Sequence, residues 1–110
     1  MIFIMNSAVM PAGNFGTYDY SPATVGDLAA VVQGDASGWC SCIGYPQNVD
    51  LIEAWTGVRI PMSRVETTFA DGDRAIVMRL KKRVANPSTK GAPVSSDPED
   101  WEFAWVAFRE

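Results

Sequence analysis

Trp39-Cys40-Ser41-Cys42-Ile43-Gly44-Tyr45-Pro46-Gln47-Asn48-Val49-Asp50-Leu51-Ile52-Glu53-Ala54-Trp55 joins an apolar run to an amphipathic segment. A short run dominated by apolar residues, Trp39 to Ile43, reads as a strand. It stops at Gly44-Tyr45-Pro46, and Val49, Leu51, Ile52 and Trp55 then supply the buried side of a helix from Pro46 to Trp55. Proline suits a first helical turn, where its missing N–H breaks no bond. Gly57 ends the helix. A strand feeding a helix in this way is the repeating step of a sheet with helices packed on it. The start of such a helix also presents backbone N–H groups and makes an anion site. The phenol of Tyr45 stands at that point.

The flanking sequence extends the pattern. Met1-Ile2-Phe3-Ile4-Met5 is continuously apolar, as a strand buried on both faces would be. Asn6-Ser7 closes it with polar groups, and Pro11 to Gly16 is turn chemistry. Thr17 to Tyr20 reads as a short edge strand. Ser21 as cap and Pro22 at the first position predict a helix carrying Val25, Leu28, Ala29 and Val32 inward and ending at Gly34. Ser63 to Phe69 alternates, Asp71-Gly72-Asp73 is a hairpin signal, and Arg74 to Val84 alternates again. Ala85 to Asp100 is rich in proline, serine and glycine and reads as a long loop; Trp101 to Phe108 reads as a last strand. The expectation is an α/β (α+β) fold: one domain over 1–110, with a mixed sheet of about five strands flanked by helices.

Composition bounds the function. A chain of 110 residues with 47% apolar residues and four tryptophans makes one domain with a modest core, and leaves enough apolar residues for an interface. The net charge of −4 and pI near 4.7 argue against duplex nucleic acid as a partner, which needs a broad basic face. A single basic pocket for a small anion stays open. The N-terminal apolar run is too short for a membrane span or signal peptide, so a soluble intracellular protein is expected. Cys40 and Cys42, with no histidine in the chain, make a metal site unsupported and read as buried free thiols. No metal and no cofactor are expected, and no nucleophilic triad is present.

The candidate ligand groups follow from chemistry and position. Arg79, Lys81 and Arg83 fall on one side of their strand, a positive stripe in an acidic chain, and arginine can clamp a phosphate through paired hydrogen bonds. Arg64, one strand earlier, falls on the same side or pairs with Glu66 or Glu53. Asn6 and Ser7 lie at a strand's carboxyl end, where open sheets bind ligands, although a turn cap would use the same residues. Gly44 lies at the start of the second helix, where the anion site is expected. Phe15, Tyr18 and Tyr20 are stacking candidates whose ordinary use is packing.

In order and spacing these pieces resemble the viral ring nucleases, small proteins of archaeal viruses and phages that counter type III CRISPR immunity. The resemblance rests on Ile2 through Gly13, Gly16-Thr17-Tyr18, Ile43-Gly44 before a helix, Gly57 through Val65, and Asp71 through Arg83. It implies a homodimer binding cyclic tetra-adenylate across its two-fold axis, in the cytoplasm of an infected host cell. It also implies metal-independent cleavage, in which a ribose 2′-hydroxyl attacks phosphorus and a histidine protonates the leaving oxygen. Asn6, Arg64 and Arg83 match the family's ligand-holding positions. The histidine falls on Tyr45, and a glutamate falls on Asn86. Tyr45, Arg83 and Asn86 are therefore the catalytic candidates; Asn6, Ser7, Gly44, Arg64, Arg79 and Lys81 are the binding candidates. Because both proton-handling positions depart from the family, two uses are expected of the ligand: sequestration, or slow or retuned cleavage. A protein-interaction or DNA-binding module is the reading from another class.

Overall fold

The computed structural model describes residues 1–6, 15–63, 68–81 and 96–110. Its elements in chain order are β1 (Ile2–Met5), β2 (Thr17–Ala23), α1 (Val25–Gln33), β3 (Trp39–Ser41), α2 (Pro46–Thr56), β4 (Arg74–Leu80) and β5 (Trp101–Arg109). Short 3₁₀ turns at Ala36–Gly38 and Pro98–Asp100 lead into β3 and β5. The strands form one five-stranded sheet in the order β2-β5-β4-β1-β3. β1 runs parallel to both β3 and β4, whereas β5 runs antiparallel to β4 and β2. This is the mixed sheet with two helices that the element pattern predicts.

Period-2 alternation divides the core between the two faces of the sheet. On one face Ile4, Ile76, Met78 and Trp101 pack against Leu28 and Val32 of α1 and Val49 and Ile52 of α2. On the other, Met5, Ala75, Val77, Val106 and Phe108 gather around Phe69, with Phe3, Tyr18 and Cys42 packed against them. A continuously apolar β1 is what a strand inside two cores requires: Ile4 is 1% exposed on the helix side and Met5 8% on the other. Each buried aliphatic side chain of this kind contributes about 1.5–3 kcal/mol. The helices are tied together by the Gln33 side-chain amide, which donates to the Thr56 carbonyl at 2.9 Å. Trp55 sits edge-on to Trp101 and Phe103, with centroids 5.6 and 5.8 Å away, and donates its indole N–H to Ser96 at 2.8 Å.

Several boundaries differ from the sequence reading. The first helix begins at Val25, capped by Thr24, and not at Ser21-Pro22; those residues extend β2 to Ala23. Two things outweigh the Ser-Pro signal. β2 is a sheet edge, where a proline without N–H is tolerated. Thr24 and Asp27 also form a reciprocal capping box: the Asp27 N–H donates to Thr24 Oγ1 at 3.1 Å, and the Thr24 N–H donates to Asp27 Oδ2 at 2.9 Å. β3 ends at Ser41 rather than Ile43, although the Cys42 N–H still reaches the Ile4 carbonyl at 2.8 Å. β4 ends at Leu80, where the Lys81 N–H turns to the Asp100 carbonyl at 2.9 Å.

Of the expected strand 63–69, residues 64–67 lie outside the described part; Thr68 to Ala70 have no strand pairing, and Phe69 enters the second core. Asp71-Gly72 makes the expected tight turn, with Gly72 at φ +87°, but it docks on β5, the Gly72 N–H meeting the Phe108 carbonyl at 3.0 Å. Most of the expected loop 85–100 also lies outside the described residues. Cys40 and Cys42 are free thiols, half-buried rather than fully so.

Candidate functional site

Because β1, β3 and β4 are parallel, their carboxyl ends share one edge of the sheet. The chain leaves β1 at Asn6, leaves β3 through Cys42 to Tyr45 and leaves β4 at Lys81. β1 lies between the other two. Open sheets bind ligands outside the carboxyl ends of their strands. The fold therefore brings three of the predicted regions to one edge.

The exit from β3 is firmly held. Ile43 is fully buried, its N–H faces Ser41 Oγ at 3.4 Å, and its carbonyl accepts from the Ser63 N–H at 2.8 Å. Gly44 is buried as well. Tyr45 then turns outward at φ −120°, ψ 126°, as the N-cap of α2, with Pro46 in the first turn. Its carbonyl accepts from the N–H groups of Asn48 and Val49 at 3.1 and 3.2 Å, while its side chain makes no capping bond. The phenol takes no part in capping the helix. Tyr45 is 57% exposed, and Met62, on the adjoining segment, is 56% exposed.

Between these segments Pro46, Val49, Ile60, Pro61, Met62 and Arg59 line a crevice of about 440 Å³. The Arg59 Nη1 donates to Asp50 at 2.8 Å and to Glu53 at 2.9 Å. Those two bonds, Glu53 first, raise its pKa above the ordinary arginine value and neutralise its charge locally. Arg59 takes the Glu53 carboxylate that the sequence offered to Arg64. The Pro61-Met62 ledge escaped the sequence reading; the restriction that a proline imposes on the residue before it is the signal that could have marked an extended, exposed segment.

The basic stripe is only partly as expected. Arg79 does share a sheet face with Val77, yet it is not an unopposed cation. It pairs across the strands with Glu102, Nη2 to Oε2, at 2.6 Å. At this exposure such a pair adds little stability, and one guanidinium group keeps further donors for a ligand. Beside it, Tyr20, Val77, Phe103 and Ala104 complete a crevice of about 220 Å³ with Arg79 and Glu102. Lys81 is exposed at the end of β4. Ser7, Arg64, Arg83 and Asn86 lie outside the described residues.

The aromatic candidates separate clearly. Tyr18 packs against Phe69 and Phe108, with centroids 5.9 and 5.0 Å away, as a core residue. Tyr20 is 56% exposed beside Arg79 and Phe15 is 86% exposed. Among the described residues no cluster of cysteines and carboxylates is placed to hold a metal ion, and no helix is long and apolar enough to cross a membrane.

The comparisons agree with this architecture. B116 of Sulfolobus turreted icosahedral virus has a similar fold, with a TM-score of 0.72 over 96% of this chain and 97% of that one, at 16% identity. ORF117 of Acidianus two-tailed virus is 27% identical over 86 residues, which is 77% of this chain and 74% of that protein. The profile of the STIV B116-like family matches residues 2–95, and the chain belongs to that family, whose compared relatives are proteins of archaeal viruses.

Proposed function

We propose that this protein binds a cyclic oligonucleotide second messenger, best fitted by cyclic tetra-adenylate, and withholds it from the host defence that reads it. The observation that carries the reading is Tyr45, exposed at the first turn of α2 on the edge where Asn6, Gly44 and Lys81 also emerge. A helix start attracts a phosphate through its N–H groups and dipole. Arg79, Lys81, Arg64 and Arg83 supply the positive charge; Asn6 and Ser7 supply hydrogen bonds. The ring is itself two-fold symmetric, so a C2 homodimer offers both halves the same contacts. The protein then acts in the cytoplasm of the infected cell, where such a signal is met.

Sequestration is favoured over cleavage because the chain contains no histidine. Tyrosine, with a reference pKa near 10, is a poor general acid at neutral pH, and losing a well-placed acid lowers rates by about 10²–10⁴. Slow metal-independent ring opening is the second reading, favoured by an exposed phenol at the helix start. In it Arg83 holds the phosphate, the attacking ribose 2′-hydroxyl passes its proton to water as the new bond to phosphorus forms, and Tyr45 protonates the 5′-oxygen that leaves as the old bond breaks; Asn86, an amide, takes no proton.

The test is to incubate the protein with a panel of cyclic oligoadenylates and other cyclic nucleotides, denature it with heat and separate the released ligands. Intact ring recovered from a protein that had held it supports sequestration. Linear products support the nuclease. No retention of any ring overturns both and leaves a protein-interaction module.

A further inference from the structure

A second crevice lies at the opposite, amino-terminal edge of the parallel strands. It opens between α1 and the sheet, holds about 420 Å³, and has Ile2, Ala30, Val31 and Trp105 among its walls. Arg74 lines one side, with its guanidinium carbon 5.0 Å from the Trp105 ring centroid. Asp27 and Asp35 line the crevice with it.

The charges in it are separated. Among the described residues Arg59, Arg79 and Arg109 each pair with a carboxylate; Arg74 makes no ion pair, although two carboxylates share its crevice. Those carboxylates are held elsewhere. Asp27 Oδ2 accepts from Thr24 in the capping box, and Asp35 Oδ1 accepts from the Ser37 N–H at 3.0 Å. The bonds from Ser37, backbone first, lower the Asp35 pKa and keep it ionised. Each carboxylate retains lone pairs beyond the bond it makes. Trp105 holds the guanidinium in place from its face. The result is an apolar trough with a fixed cation and fixed anions that do not neutralise each other, of a size suited to a small ligand.

We infer that this crevice binds a small amino-acid-type zwitterion with an apolar body, its carboxylate on Arg74 and its ammonium on Asp27 and Asp35. A plain anion would meet the two aspartates, and a plain cation would meet Arg74. Only a ligand carrying both charges answers both walls. The site is independent of the proposed nucleotide site, from which the length of the strands separates it.

The probes are L-leucine, Nα-acetyl-L-leucine and L-leucinamide, titrated into the intact ¹⁵N-labelled protein. The signals to follow are the Trp105 indole and the Gly34 and Gly38 amides. Saturable shifts with leucine are expected at all three. Blocking either charge is expected to weaken binding by about tenfold or more, the scale of a lost charged hydrogen bond. Arg74→Gln and Asp35→Asn, both surface changes, are each expected to reduce leucine binding while leaving the rest of the spectrum in place. Absence of saturable shifts with leucine overturns the inference. So does equal binding of the acetylated or amidated probe, or unchanged binding in both variants.

Discussion

On the proposed reading, the fate of a bound ring turns on the single side chain of Tyr45. Its backbone is committed to α2, its phenol is not committed to capping, and more than half of it faces solvent. Replacing it by histidine, together with Asn86→Glu, is expected to raise ring cleavage by one or more orders of magnitude, within the range general acids supply; single-turnover assays with a labelled ring would measure it. A folded double variant with no gain would mean that the pocket has diverged beyond these two positions. For Arg83→Ala, ligand affinity is expected to fall by about 1.5–3 kcal/mol, the worth of a charged hydrogen bond to phosphate, as read by calorimetry. Unchanged affinity would remove Arg83 from the site. Residue identity was legible in the sequence here, while residue partnership was not: nothing in the spacing of Arg79 showed that β5 would bring Glu102 to it, because the pair spans two strands far apart in the chain.

Among the elements, α1 and the Phe69 segment carry the clearest consequences. Thr24 closes α1 with a two-way capping box, so Thr24→Ala is expected to lower stability by about 1 kcal/mol, within the usual range for a lost cap. Chemical denaturation checks this, and Ser21→Ala, which would matter equally if the helix began there, is expected to change little. Phe69 is 2% exposed and meets Phe3 edge-on at 5.2 Å and Phe108 at 5.9 Å. Truncation to alanine is expected to cost about 3–5 kcal/mol, with loss of cooperative unfolding as the marker. A cost under 1 kcal/mol would mean that the second core does not depend on it. The long periodic elements, α2, β4 and β5, were legible because their apolar spacing agrees with their burial. The start of α1 was not, because Ser21-Pro22 is good cap chemistry that edge-strand pairing with β5 overrides; the residues paired with Ser21 and Pro22, Trp105 and Ala104, lie more than eighty positions away.

For the whole molecule, the parallel strands point three chain exits at one edge, which is why groups scattered from Asn6 to Lys81 converge without any local motif. If the ring lies on a two-fold axis, titration is expected to saturate at one ring per two chains, with the protein sedimenting as a dimer. One ring per chain would place the ligand within a single subunit. The sheet order has a separate bearing on biogenesis. β5 lies between β2 and β4, so a nascent chain that has produced everything up to β4 can join β4, β1 and β3 but leaves β2 without a neighbour. The sheet is completed only by the strand made latest among the seven elements. Closure therefore follows synthesis of β5, and pairings this distant in sequence make folding slow relative to helical proteins of the same size. During that interval the apolar side chains that β5 will cover are open to chaperones and to other copies, so output in the cell is expected to depend on temperature and expression rate more steeply than the finished fold's stability would suggest.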